Sequence, residues 1–220
     1  MLKIEPTDES YSLIEAPTPH WPEGKHSDAY PREIIRLAVP AHNRKFQIDF
    51  KTFQRPDFQS KYRELTILRT KAIDNVGNLE SVLDKLLIGF LSRFPNECRR
   101  IRLTGNNIET EIKSLDFMRC RDRLSKLLKT HKELGGKNHK MTMLFFDVIS
   151  ERNKYVHGVF YFLKDYTPLL QFELNKKNVL GHVSIEHIKS FNLTVLELLD
   201  WLKTLDEIAR NLTALKNAAQ

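Results

Sequence analysis

Between Glu151 and Gly158 the chain reads Glu-Arg-Asn-Lys-Tyr-Val-His-Gly, which gathers a permanent cation at Arg152, an amide at Asn153 and a titratable imidazole at His157. This set suits a phosphodiester. A guanidinium presents a planar fork that donates two parallel hydrogen bonds to non-bridging oxygens and stays charged. An imidazole titrates near neutrality and can act as acid or base. Asn153 and His157 stand at i and i+4, so on a helix they share a face, and the amide can orient the imidazole or donate to phosphate.

The preceding segment must supply that helix. Met141, Leu144, Phe145, Val148 and Ile149 recur at helical spacing, so the motif rides on a helix from about Lys140 to His157, packed against a core and ending at Gly158. Arg152 falls in line with Met141, Phe145 and Ile149, near the middle of the apolar stripe, where a guanidinium needs acceptors or must reach out toward a groove or subunit interface. Each member also has a structural reading. Arg152 could be held by helix C-terminal carbonyls or by Glu197 or Asp200, and His157 could cap the helix end beside a C′ glycine. Lys154 and Tyr155 read as surface residues, and Tyr161 as a core phenol close to the site.

Arg, a polar residue, three further residues and His, carried on the third helix of a four-helix unit, resembles the signature of the HEPN (higher eukaryotes and prokaryotes nucleotide-binding) superfamily. The resemblance covers roughly residues 65 to 215. It implies a homodimeric helical domain without a cofactor or metal, in which Arg152 and His157 are catalytic, Asn153 supports them, and the Arg and His of two subunits meet across the dimer. The activity implied is metal-independent endoribonuclease chemistry: deprotonation of a 2′-hydroxyl, stabilisation of the phosphorane, protonation of the 5′-oxygen and a 2′,3′-cyclic phosphate product. A toxin or anti-phage setting follows, with an antitoxin or sensor protein as possible partner. Some toxin members carry a tyrosine two residues after the His; here that position is Val159. Other members resembling this pattern are inactive, so a non-catalytic interaction or nucleic-acid-binding scaffold is the alternative, and a nucleotide-sensing subunit a third reading.

With 220 residues, 41% hydrophobic and 29% charged, the composition is that of a globular protein with one substantial core. The absence of a long apolar run and of a basic, hydrophobic leader points to a cytoplasmic protein without a membrane span. Cys98 and Cys120 are too isolated for a disulfide framework or zinc site and read as reduced structural thiols. His182 and His187 lack an acidic pair and read as solvent-facing or hydrogen-bonded. The net charge of +7 is concentrated between Cys98 and Lys140, where twelve basic residues face five acidic ones. Arg119, Arg121, Arg123, Lys126 and Lys129, together with Lys154, are therefore the candidate RNA-binding cations, with a solvated helix face as the plainer reading.

Seven of the nine prolines lie in the first 56 residues, which predicts an extended or β-containing arm over residues 1–60 and a helical domain over 61–220. Short strands are expected at Glu33–Val39 and Lys45–Phe50, with Trp21, Tyr30, Phe46, Phe50, Phe53 and Phe58 pinning the arm and the first dozen residues mobile. Periodicity then predicts helices over Tyr62–Asn75 and Leu79–Phe94, separated at Gly77 and stopped by Pro95, and over Ile108–His131, closed by Gly135-Gly136. After the motif helix, Val159–Leu163 and Leu169–Leu174 read as a hairpin, and Ser184 caps a long last helix. The fold class expected is mainly α: a HEPN-like four-helix bundle with a short β-hairpin and a proline-rich N-terminal arm.

Overall fold

A computed structural model of the chain describes residues 1–7, 34–37, 56–131, 134, 138–163 and 166–218. The protein is mainly helical with a small antiparallel sheet. In chain order come β1 (Ile34–Leu37), α1 (Pro56–Arg93), α2 (Glu97–Arg100), α3 (Ile108–Lys113), α4 (Phe117–Thr130), α5 (Asn138–His157), β2 (Val159–Leu163), β3 (Pro168–Leu174), β4 (Lys177–His182) and α6 (Ile185–Ala218). The strand expected at Lys45–Phe50 and the arm aromatics before Pro56 lie outside the described residues.

Helix α1 opens on Pro56, whose missing N–H costs nothing in a first turn, and stops just before Pro95. It runs through Gly77 without the expected break. Gly77 faces open space and costs only about 1 kcal/mol relative to Ala in a helix interior. The buried Ala72, Val76, Leu79 and Leu83 on either side outweigh that cost. The reverse correction applies to Ile108–His131, which is two helices. Asp116 takes an extended backbone and accepts a hydrogen bond from Arg119 N, so its carboxylate caps a new start at Phe117.

The sheet has strand order β1-β2-β3-β4, antiparallel throughout. The expected hairpin is β2 with β3, and β1 falls within the expected Glu33–Val39 strand. β4 escaped the sequence reading. It is reached through Asn175 and Lys176, both at positive φ (51° and 63°), the geometry of a tight two-residue hairpin turn. A lysine at the second turn position hides the usual Asn-Gly signal.

The described residues divide into two compact units, Met1–Ile73 with Glu151–Asn192, and Asp74–Ser150 with Leu193–Gln220. In the first, Ile4, Phe58, Tyr155, Phe160, Phe162 and Phe191 are fully buried. In the second, Leu79, Leu83, Leu87, Phe145, Val195 and Leu202 are. Cys98 and Cys120 are free, buried thiols of the second unit, and burial, with Asp84 alongside, pushes the Cys120 thiol up to about 12. Such thiols are inert.

Candidate functional site

The last two turns of α5 belong to the first unit and present two different sides. The buried track of the helix passes through Val148, Glu151 and Tyr155, so Glu151 occupies the inward position expected of Arg152. Adjacent helical residues differ by about 100° in direction, and the apolar stripe alone put 152 near its middle and 151 toward its edge. Glu151 is 1% exposed and has partners. One carboxylate oxygen accepts from Ile4 N at 3.4 Å, and the other from Lys154 Nζ at 2.7 Å. Lys154 also donates to Ile4 O at 2.7 Å, with its ammonium 4.8 Å from the centre of the Phe172 ring. Lys154 is thus tied down inside the unit, contrary to its assignment as a surface, RNA-binding cation.

Tyr155 is likewise corrected from surface to core. It is 1% exposed, tilts against Phe191 at 5.1 Å between ring centres, and its phenolic oxygen is buried without a hydrogen-bond partner. Burial, reinforced by the nearby Glu151 carboxylate, raises the phenol well above its ordinary range. Tyr161 is also core, donating to Gln171 Oε1 at 2.8 Å.

A helix ends on backbone carbonyls that lack intrahelical partners. Here Arg69 of α1 supplies them. Its Nε donates to Tyr155 O at 2.7 Å, and its Nη2 to Val156 O at 3.3 Å and Gly158 O at 3.1 Å. The guanidinium is 2% exposed and lies 5.3 Å from the centre of the Phe160 ring, and desolvation lowers it to about 10. Sequence reasoning missed this residue. The available signal was an arginine inside the apolar series Leu65, Arg69, Ala72, Val76.

Gly158 is not the left-handed C′ glycine expected after His157; among the described residues Gly105 alone is a glycine at positive φ. Its requirement is space. A Cβ there would meet Lys154 O at 2.2 Å, Leu170 Cδ1 at 2.8 Å and Gln171 O at 2.9 Å, because the chain passes directly from α5 into the sheet.

Asn153 and His157 take the opposite side and are exposed. Arg152 is half-buried between the two sides, and its Nη1 donates to Asn153 Oδ1 at 3.1 Å. The amide thereby presents the guanidinium, while the imidazole stands at the helix end in reach of solvent. A fixed cation and a proton carrier within two turns of one helix end can bind a phosphate diester and move a proton from an attacking hydroxyl or to a leaving oxygen.

In the second unit the basic series sits on α4. Arg119 and Lys129 are exposed, and Arg123 and Lys126 half-buried. Arg121 is paired with Asp122 at 2.6 Å and reaches Thr142 O at 3.4 Å. His182 is exposed, and His187 Nδ1 lies 2.8 Å from Ser184 Oγ, within the cap that starts α6. Among the described residues no group of three or more His, Cys, Asp or Glu could hold a metal ion, and no helix is long and apolar enough to cross a membrane. Compared with family models, curated proteins and solved structures, the chain matches none.

Proposed function

We propose that the protein is a metal-independent endoribonuclease of HEPN type, acting as a homodimer in a toxin or anti-phage setting, with Arg152 and His157 as its catalytic residues. The observation that carries this reading is the division of labour within one octapeptide. Glu151, Lys154 and Tyr155 hold the helix end from inside, and Arg69 already satisfies its terminal carbonyls. The helix end is therefore held without the His157 imidazole, which stands exposed three residues beyond Lys154, and the Arg152 guanidinium lies against the exposed Asn153 amide, which favours a role toward a ligand.

In this reading Arg152 binds the non-bridging oxygens and stabilises the charge of the phosphorane. His157 takes the proton of the attacking 2′-hydroxyl or delivers one to the departing 5′-oxygen, leaving a 2′,3′-cyclic phosphate and a free 5′-hydroxyl. Asn153 is the positioning residue, accepting from Arg152 Nη1. Two copies of the turn complete the acid and base pair. Arg119, Arg123, Lys126 and Lys129 add sequence-independent, salt-sensitive attraction for RNA.

The test is cleavage of a mixed-sequence RNA in EDTA by the wild-type protein beside Arg152→Ala and His157→Ala, each shown to be folded and of wild-type oligomeric state. Cyclic-phosphate products from the wild type alone are expected; equal or absent cleavage in all three overturns the assignment. A non-catalytic interaction module is the second reading, drawn from Met143 and Phe146 on α5 and Leu193 and Leu196 on α6, all apolar and at least 45% exposed.

A further inference from the structure

We infer that Leu2–Thr7 is a positioning strap for the motif, acting through Glu151 and Lys154 as positioning residues. The inference rests on the ribonuclease reading for its catalytic consequence but not for its structural one. Ile4 is fully buried, and its backbone spends both polar groups on motif side chains, the N–H on Glu151 and the carbonyl on Lys154. Glu151 and Lys154 flank Arg152 and Asn153 in the chain, so the two outward residues are bracketed by two anchors held by the same strap residue. His157 follows Lys154 by three positions, on the same final turn.

The strap is itself held on elements outside the motif. Thr7 N donates to Leu180 O at 2.7 Å, Pro6 bridges Gly181 of β4, and Leu2 N donates to Ser190 Oγ of α6 at 3.1 Å. Gly181 makes the passage possible. A Cβ there would lie 2.4 Å from Glu5 O and 2.7 Å from Ile4 Cγ2. The segment Leu2–Thr7, expected to be mobile, is hydrogen-bonded to the sheet, to the motif helix and to α6.

A carboxylate and an ammonium under cover are worth keeping only with their partners in place. Displacing Ile4 removes an N–H from Glu151, removes an acceptor from Lys154 and admits water to the pair. The end of α5 is then free to rotate or fray, and misplacing catalytic groups by about 1 Å is enough to cost on the order of 100-fold in rate.

The test uses the full chain and two readouts. In Ile4→Asp and Gly181→Ala, amide hydrogen exchange over Asn153–His157 is expected to quicken about tenfold or more while Leu79–Leu91 of α1 keeps its protection. Ile4→Val restores the wild-type pattern. In RNA cleavage, kcat falls about tenfold or more with KM within about twofold, the signature of misplaced catalytic groups rather than lost binding. Unchanged exchange in both variants overturns the strap, and quickened exchange with unchanged kcat overturns its positioning role. Should either variant fail to fold, Glu151→Gln removes the charge at nearly constant shape and is judged by the same criteria. A wild type that cuts no RNA would sink the ribonuclease reading, while the exchange data would still decide whether the strap holds the motif.

Discussion

The inward and outward sides of the last two turns of α5 are built from interleaved residues, yet they obey opposite rules. On the inward side every charge found a partner inside the unit: Glu151 and Lys154 bind each other and the Ile4 backbone, and Arg69 binds three carbonyls. On the outward side Asn153 and His157 stand in solvent and Arg152 leans on its neighbour. The difference teaches that a polar residue's meaning is set by which side of the helix it takes. Buried charges here are joints, and a polar motif in a helix end becomes a candidate for chemistry once the joints have been assigned elsewhere.

That contrast can be broken by substitution, beginning with the largest effect. Arg152→Ala and His157→Ala should each lower RNA cleavage by about 10²- to 10⁴-fold, while their melting midpoints show a stability change within about 0.5 kcal/mol. Loss of stability together with activity would merge the two sides into one. Next, Arg69→Met should destabilise by about 3 kcal/mol in urea titration, because it strands buried carbonyls whose unmet desolvation costs about 1–3 kcal/mol each. Arg69→Lys should recover only part of this, since an ammonium cannot reproduce the fork. A fully stable Arg69→Met protein would show that the cap is decorative.

A smaller loss, about 1–3 kcal/mol, is expected for Gly158→Ala, whose methyl group would press on the backbone of α5 and β3. The smallest effect belongs to Tyr155→Phe. Removing a buried hydroxyl that has no partner should leave stability at neutral pH unchanged or higher by up to about 1 kcal/mol. The same substitution sharpens the contrast at alkaline pH. The folded phenol is raised above its unfolded value, so its contribution is fully present below about pH 10 and is lost as pH rises beyond it. Urea midpoints measured from pH 9 upward should therefore decline less steeply in Tyr155→Phe; equal slopes would place the titrating group elsewhere.

Much of the fold was legible because its signals are local. The motif helix, the β2–β3 hairpin and the Ser184 cap each follow from spacing and punctuation within a dozen residues. Where signals compete, the reading failed in both directions. Gly77 carried a weak penalty that the buried residues around it overrode, whereas Asp116, a strong capping residue, was read through because the apolar positions on either side kept helical phase. At the site, Arg152, Asn153 and His157 were visible as a motif, but Lys154 and Tyr155 were assigned to the wrong side.

The sequence by itself therefore determined the mainly helical class, the motif helix with the hairpin and long helix that follow it, and the presence of a phosphate-compatible polar set at one helix end, since periodicity and capping depend on neighbours in the chain. Only the tertiary structure decided that Glu151 rather than Arg152 points inward, that Arg69 caps the helix and that Ile4 bridges the Glu151–Lys154 pair. Arg69 lies 86 residues from Tyr155, and Ile4 lies 147 from Glu151. Partners so distant are chosen by which buried charge can be satisfied, and a burial cost of that kind exists only once the chain has closed around it.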